Sequence, residues 1–181
     1  ASVYGAFLKK LKKTAQNNLI LKPAELIIND QDHEVFNADI NEVAKKVKGD
    51  ILYLDPPYNH RQYATNYHLL ETIAKYDNPK IYGKTGLREY QNQKSLYCSR
   101  TQVKKAFKDL ILKARAKYIF LSYNNEGLMT LKDIQEIMTL RGKYGNFTKE
   151  YNRFKADKSE NRNFVANKTT EYLHYVVCKK L

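Results

Sequence analysis

The sequence predicts an α/β fold built on a mostly parallel sheet with an antiparallel hairpin at its C-terminal end. Apolar runs short enough for buried strands alternate with segments of helical periodicity, and two extended runs close the chain. The length of 181 residues suits a single domain. We therefore expect residues 1–181 to lie within one domain.

The first third of the chain predicts two helices and two strands. Pro23 interrupts an irregular stretch between the first helix and the first strand. The second strand is apolar throughout and is expected to be buried on both faces. In order, the elements are a basic amphipathic helix that begins after Ser2 and carries apolar residues through Ala15, a short strand at 34–37, a helix through Val43 and Val47, and a strand at 51–54.

The rest of the chain predicts three helices, another buried strand and the closing hairpin. The helices follow from apolar residues that recur every three or four positions. The elements are a helix at 67–76, a helix from Thr101 to Ala114, a strand at 118–122, a helix at 131–140 and two extended runs near 147–154 and 172–178.

The charge of the chain predicts a polyanionic partner. Lys and Arg number 32 against 19 Asp and Glu, a net charge of +13, which favours nucleic acid or an anionic membrane surface. The lysines of the first helix either form a solvated face or contact such a partner. No apolar run approaches the ~18 residues of a spanning helix, so we expect a soluble protein without a membrane role. The two cysteines and four histidines show no metal-binding spacing, which predicts no metal site. The two cysteines also show no disulfide pattern, which predicts a reducing, cytoplasmic location.

A long segment at 77–100 has little periodicity and combines basic with aromatic side chains. Loops of this length inside a domain are usually functional or disordered. We expect this one to contact the polyanionic partner. Its basic residues are Lys80, Lys84, Arg88, Lys94 and Arg100, and its tyrosines are Tyr82, Tyr90 and Tyr97.

The strongest local signal is the run Asp55-Pro56-Pro57-Tyr58, directly after the predicted strand at 51–54. Ligands of open α/β sheets bind beyond the carboxyl ends of strands. The Asp55 carboxylate and the Pro56 carbonyl can each accept one hydrogen of an exocyclic amino group, while Tyr58 stacks on the base. These residues therefore predict a pocket for a flipped amino-bearing base. The alternative is a turn that merely ends the strand.

The run from Asp55 to Arg61 resembles the catalytic motif of adenine-specific DNA methyltransferases of the bacterial restriction-modification type. Five further segments, spread over nearly the whole chain, are similar to parts of these enzymes. They are Tyr4-Gly5-Ala6-Phe7-Leu8-Lys9, Asn66-Tyr67-His68-Leu69-Leu70-Glu71-Thr72, Lys84-Thr85-Gly86-Leu87-Arg88, Ser122-Tyr123-Asn124-Asn125-Glu126-Gly127 and Arg153-Phe154-Lys155-Ala156-Asp157.

The resemblance implies a Rossmann-like sheet, S-adenosylmethionine as cofactor and double-stranded DNA as substrate. By position, Asp55, Pro56, Pro57 and Tyr58 are the catalytic residues that this resemblance implies. Asp39 and Ile40 would hold the adenine end of the cofactor, and Asp55 would border it as well. Asp39 has an alternative role as a helix N-cap, and the two roles are compatible. The residues expected to contact nucleic acid are Arg61, Lys84, Arg88 and Lys94, with His60 beside the pocket and Tyr123 and Asn124 at its border or in a plain turn.

One departure from the family concerns the glycine-rich loop that approaches the cofactor, because no G-x-G occurs in this sequence. The resemblance also implies two sheet strands that the chain lacks, between the strand leading into Asp39 and the strand leading into Asp55. We therefore expect the C-terminal part of a longer enzyme, whose partner is the missing N-terminal segment or a second chain.

The predicted function is transfer of a methyl group from S-adenosylmethionine to the exocyclic amino group of adenine in DNA. Two alternatives stay open at this point. One is an RNA base methyltransferase, since RNA bases carry similar amino groups. The other is a catalytically silent DNA-binding module, which the missing glycine loop favours and the intact run at 55–58 disfavours.

Overall fold

The computed structural model describes residues 13–18, 20, 22–152 and 168–179. The predicted helix after Ser2 and the segment 153–157 lie largely or wholly outside the described residues. The α-helices are α1 (Ile40–Lys46), α2 (Tyr63–Asn66), α3 (His68–Lys75), α4 (Val103–Lys113) and α5 (Leu131–Thr139). The strands are β1 (Lys48–Leu54), β2 (Arg115–Asn124), β3 (Gly142–Asn152) and β4 (Lys168–Cys178), and short 3-10 helices occupy Lys13–Gln16, Gln91–Gln93 and Leu96–Cys98.

The four strands form one sheet in the order β1-β2-β4-β3. Strand β1 pairs with β2 in parallel, whereas β4 pairs with both β2 and β3 in antiparallel fashion. The prediction of an α/β fold with a C-terminal hairpin is confirmed. The prediction of a mostly parallel sheet is wrong for the described residues, because β4 lies between β2 and β3 and makes two of the three strand pairings antiparallel.

The predicted strand at 34–37 does not form. Residues 31–37 have no regular secondary structure, and Val35 and Phe36 are exposed. A short run of β-forming residues has no partner here, and strand formation depends on pairing and packing more than on intrinsic propensity. The helix predicted through Val43 and Val47 does form as α1 and ends at Lys46.

The hydrophobic core lies between one face of the sheet and the layer of helices α1, α4 and α5. Alternation places one set of side chains of each strand on this face. Helix α4 contributes most of the helical side of the core, as its predicted periodicity requires. The core includes Leu54, Ile119, Leu121, Tyr123 and Val176 from the strands, Phe107, Leu110 and Ile111 from α4, and Ile134 and Met138 from α5.

The opposite face of the sheet keeps its apolar side chains exposed. On β1, Ile51 is 64% exposed and Tyr53 is 59% exposed, so the prediction that this strand is buried on both faces is wrong. Tyr118, Phe147 and Val177 lie on the same face and are also exposed. Within the described residues β1 pairs only with β2, which leaves its other edge open. We call this surface the open face.

The part of the chain that the structure describes contains neither a membrane-spanning helix nor a group of metal-binding side chains. No helix there has both the length and the apolar character needed to cross a bilayer. Nor do three or more His, Cys, Asp or Glu side chains group there in a way that could hold a metal ion.

A buried histidine stands between two tyrosines at the centre of the hairpin. His174 is fully buried, and its ring stacks on Tyr144 and Tyr172 at centroid distances of 6.0 and 5.4 Å. Its Nδ1 lies 2.9 Å from the Tyr144 hydroxyl. The same hydroxyl accepts a hydrogen bond from Asn146 Nδ2 at 3.2 Å. Burial lowers the pKa of His174 to about 4.

This depressed pKa predicts a loss of stability in mild acid. The unfolded chain takes up a proton at His174 near its ordinary pKa of about 6.5, whereas the folded chain resists protonation down to about 4. The contribution to the free energy of unfolding is therefore complete above pH 6.5 and falls by up to about 3 kcal/mol as the pH drops toward 4. Urea denaturation between pH 7 and 4 measures it. His174→Phe should flatten this slope, and an unchanged slope in the variant would contradict the assignment.

Candidate active site

The Asp55 loop begins where β1 ends, beside the C-terminal part of its parallel neighbour β2. Leu54 pairs with Leu121, so Asp55 emerges next to Ser122 and the end of β2. Asp55 is exposed, while Pro56, Pro57 and Tyr58 are partly buried. Two successive prolines hold φ fixed and lack N–H groups, which stiffens the loop beside the carboxylate.

A chain of hydroxyl groups orients the Asp55 carboxylate. The Tyr58 hydroxyl donates to Asp55 Oδ1 at 3.0 Å and lies 2.8 Å from Ser122 Oγ. Because the Tyr58 proton goes to Asp55, Ser122 is the donor in the second contact. Burial is the main reason that the pKa of Tyr58 is raised well above its ordinary value, so its hydroxyl keeps its proton and stays a donor.

The end of β2 and the loop after it contact Tyr58 through its ring and its carbonyl. The rings of Tyr58 and Tyr123 lie 4.8 Å apart between centroids, in a tilted arrangement. The backbone N–H of Leu128 donates to the Tyr58 carbonyl at 2.9 Å, and that of Met129 donates to the Tyr123 hydroxyl at 3.3 Å. A Cβ on Gly127 would lie 2.1 Å from Tyr123 Cε1. Only glycine fits there without displacing the ring.

A cleft of about 880 Å³ brings the two predicted site segments together. Its lining includes Asp39 and Ile40, which we call one wall, and Asp55, Pro56 and Pro57, which we call the other. Tyr58 does not line the cleft and instead holds Asp55 from outside it. The remaining lining includes Tyr53, Tyr63, Lys94, Ser95 and Tyr97.

Asp39 is the N-cap of α1. Its Oδ1 accepts the Asn41 backbone N–H at 2.8 Å, and its backbone carbonyl accepts the N–H of Val43 at 3.0 Å. A carboxylate has a second oxygen, and the Asp39 residue is exposed where it lines the cleft. Ile40, 37% exposed, lies beside it. The wall therefore offers a hydrogen-bond acceptor next to an apolar surface.

The basic segment 77–100 forms part of the cleft and part of the outer surface. Lys84 lies exposed in a tight turn closed by the bridge between Tyr82 and Leu87. Lys94 lines the cleft with its ammonium 5.7 Å from the Tyr90 ring centroid. Lys84 therefore extends outward, whereas Lys94 lies at the mouth of the cleft.

Arg88 and Arg61 differ from the two lysines. The Arg88 guanidinium contacts both carboxylate oxygens of Asp77, at 3.1 and 2.5 Å, and its side chain is 11% exposed. It also donates to Thr72 Oγ1 at 3.2 Å. Arg61 is an exposed residue just after the Asp55 loop and does not line the cleft, and its neighbour His60 is exposed as well. Both arginines stay predicted nucleic-acid contacts.

The border of the site contains residues whose roles sequence reasoning left open or missed. Tyr123 packs on Tyr58, as its expected place at the pocket border implies, and Asn124 caps the following turn by accepting the Glu126 N–H at 3.1 Å. Ser122 and Tyr97 were not expected to have roles of their own. No local motif marks either residue, since each acts through a partner distant in sequence.

The sequence comparisons define the class of this protein. A model of the D12 class of N6 adenine-specific DNA methyltransferases matches residues 1–137. The chain therefore belongs to this family, whose methyltransferase activity implies an S-adenosylmethionine cofactor in general.

Several curated relatives cover nearly all of the chain. It is 58% identical over 174 residues to the Type II methyltransferase M.NlaIII of Neisseria lactamica, a match that covers 96% of this chain and 52% of the relative. It is 43% identical over 179 residues to M.FokI of Planomicrobium okeanokoites, covering 97% of this chain and 27% of that protein. M.CviAII of Paramecium bursaria Chlorella virus 1 is 37% identical over 176 residues, with 96% of this chain and 51% of the relative covered.

The chain spans about half the length of M.NlaIII and M.CviAII and about a quarter of that of M.FokI. No solved structure matches the chain.

The close approach at Gly127 predicts that Gly127→Ala destabilises the protein by about 1–3 kcal/mol, because the added methyl group overlaps the Tyr123 ring behind Tyr58. Urea denaturation measures the change. Gly49→Ala is the matched control, since its Cβ would meet nothing nearer than the Ile51 carbonyl oxygen at 3.7 Å. A Gly127→Ala variant as stable as the control would contradict this packing.

Proposed function

We propose that this chain carries the catalytic half of an enzyme that methylates the exocyclic amino group of adenine in DNA. The single observation that supports this most is the cleft that joins the Asp55 loop to the Asp39–Ile40 wall. A methyl-transfer site must hold a base and a methyl donor side by side, and these two segments line the same space and both offer hydrogen-bond acceptors.

Asp55 and Pro56 bind the amino group of the target base. The Asp55 carboxylate accepts one amino hydrogen and the Pro56 carbonyl accepts the other, which directs the nitrogen lone pair away from both. The Tyr58 hydroxyl keeps Asp55 in place for this contact, and Pro57 keeps the loop stiff. A base enclosed in duplex DNA reaches this loop by flipping out of the stack. Stacking on Tyr58 stays a prediction, because Tyr58 lies outside the cleft and its ring packs on Tyr123.

Asp39 and Ile40 bind the adenine end of S-adenosylmethionine. The Asp39 carboxylate oxygen that is not needed for capping accepts from the adenine amino group, and Ile40 packs on the ring. Asp55 borders the same space. The cofactor supplies a methyl group already activated by the neighbouring positive sulfonium. The residues of the cleft contribute alignment, which is worth about 7–11 kcal/mol in well-oriented reactions.

The basic segment binds the phosphates next to the flipped base. Lys84 and Lys94 are exposed, and Lys94 lies at the cleft itself. Arg61 extends the same surface beyond the Asp55 loop. Arg88 mainly holds the segment in place through its ion pair with Asp77. Only the exposed edge of that ion pair contacts DNA.

The rest of the enzyme, either a segment preceding this chain or a second chain, is the expected protein partner. Two features support this assignment. The outer edge of β1 has no partner among the described residues, and Ile51 and Tyr53 of the open face are exposed next to it. Unpaired strand edges and contiguous apolar patches mark surfaces that other chains cover. The relatives, which are longer, are consistent with such a partner.

Asp55→Ala tests the pocket. We expect the rate of methyl transfer to adenine in DNA to fall at least about 100-fold, the order of loss seen when one preorganised polar contact to a reacting group is removed. DNA affinity should change little because Asp55 carries no positive charge. Transfer of a labelled methyl group, with the modified nucleoside identified by mass, measures the rate for this chain alone and for the chain with its partner.

Asp50→Ala is the control for this experiment. Asp50 lies near the other end of β1, where it is exposed and paired with Lys117 at 2.7 Å. Its loss should leave transfer within about twofold, as expected for a surface ion pair. Near-wild-type transfer by Asp55→Ala would refute the pocket.

The same assay separates the alternative functions. Methylation of RNA in place of DNA would favour the RNA methyltransferase alternative, and DNA binding without transfer under all conditions would favour a silent binding module.

Lys84→Ala and Lys94→Ala test the DNA surface. Each phosphate contact contributes about −0.9 to the slope of log K against log salt, so each variant should bind duplex DNA more weakly and with a slope shallower by about one. Fluorescence anisotropy over a salt series measures both. Lys132→Ala, an exposed lysine on α5, is the matched control. A slope equal to wild type in both test variants would show that the basic segment does not contact the DNA phosphates.

A further inference from the structure

The segment Ser95–Cys98 contacts, within four residues, the segments that follow both walls of the cleft. It lies at the end of the basic segment and contains the 3-10 helix Leu96–Cys98. We call it the joint. Ser95 and Tyr97 also line the cleft, so the joint is close to anything bound there.

The first connection runs from Tyr97 to the Asp39–Ile40 wall. Tyr97 is 5% exposed, and its hydroxyl donates to Asn41 Oδ1 at 2.9 Å. Asn41 follows Asp39 and Ile40 in the first turn of α1. Its Nδ2 donates to the Ala106 carbonyl at 2.9 Å and to Asp109 Oδ2 at 3.0 Å. The Asn41 side chain thus binds the joint and α4 at once, which fixes where α1 begins.

The second connection runs from Ser95 and Cys98 to the segment that follows the Asp55 loop. The Gln62 side chain donates to the Ser95 carbonyl at 3.2 Å and accepts the Ser95 N–H at 2.8 Å. Cys98 Sγ donates to the Arg61 carbonyl at 3.3 Å. The Gln62 carbonyl in turn accepts the N–H groups of Thr65 and Asn66 at the start of α2.

These contacts are more specific than packing requires. The ring of Tyr97 would fill its space as well without the hydroxyl, yet that hydroxyl reaches a side chain 56 positions earlier in the sequence. The reciprocal pair between Gln62 and Ser95 fixes both distance and direction, as two parallel hydrogen bonds do. Residues that hold reacting groups within about 0.5 Å of their productive geometry depend on such supporting contacts.

We propose that Tyr97 and Gln62 are positioning residues that act through the joint on different walls: Tyr97 sets the Asp39–Ile40 wall through Asn41, and Gln62 sets the wall formed by the Asp55 loop and its continuation. This inference deepens the proposed function and rests on it for the identity of the ligands. The two positioning roles themselves are properties of the fold and can be measured without any ligand.

The first test uses amide hydrogen exchange on the unliganded protein. Tyr97→Phe should speed exchange of the Glu42 and Val43 amides in α1 by about fivefold, the effect of losing about 1 kcal/mol of hydrogen bonding. Gln62→Met, which keeps the side-chain length, should speed exchange of the Thr65 and Asn66 amides instead. Tyr82→Phe is the matched control, because that tyrosine is exposed in the same basic segment. Equal exchange in all variants, or the same pattern in both test variants, would overturn the proposal.

The second test separates binding from catalysis. In the enzyme with its partner present, Tyr97→Phe should raise the dissociation constant of S-adenosylhomocysteine about fivefold with kcat kept within twofold. Gln62→Met should lower kcat about tenfold with that dissociation constant unchanged. A merely structural role would change both quantities together in each variant, and that result would also overturn the proposal. Failure of the wild-type enzyme to bind S-adenosylhomocysteine would instead count against the proposed function, while the exchange experiment still decides the positioning roles.

Discussion

The site depends on the parallel pairing of β1 with β2. That pairing sets Leu54 opposite Leu121, and both side chains are buried against the helical layer. Because burial fixes the register, Asp55 must leave the sheet next to Ser122. A slip of one residue would turn Leu54 outward and separate Tyr58 from the hydroxyl that supports it. The packing of the core therefore also determines the geometry of the site at this point.

Around this pairing, polar side chains carry the site's geometry from one segment to the next. Ser122, Tyr58 and Asp55 form a line of hydroxyl and carboxylate groups on one side of the cleft. On the other side, Asn41 and Tyr97 connect the N-terminal end of α1 to α4 and to the basic segment. Each contact joins residues that are remote in sequence or lie at the end of an element. Such contacts define a geometry without adding much hydrophobic burial, as is typical of residues that serve a ligand.

The molecule divides into a packed side and an exposed side. Helices α1, α4 and α5 cover one face of the sheet, while the open face keeps its aromatic and aliphatic side chains in solvent. Rows of β-branched and aromatic residues on a sheet are usually covered. The open face lies beside the edge of β1 that no described strand pairs with, and the proposed partner would cover both. Such a partner would account for the exposure of Ile51 and Tyr53, which are residue types typical of a buried strand.

The sequence by itself determined the elements with strong periodicity and predicted where the candidate site lies. Helices α3, α4 and α5 follow their apolar spacing, and the run from Asp55 to Tyr58 predicted a site after β1 because its residue types and its place after a strand are local signals. Tertiary structure alone decided the rest. Three features depend on groups distant in sequence: the absence of strand pairing at 34–37, the face of β1 that is covered, and the ion pair between Arg88 and Asp77. Tyr97 has no sequence signature because its partner Asn41 is brought to it only by the packing of α1 on α4. A local pattern can specify what a segment tends to form, but only the folded chain determines which neighbour it meets.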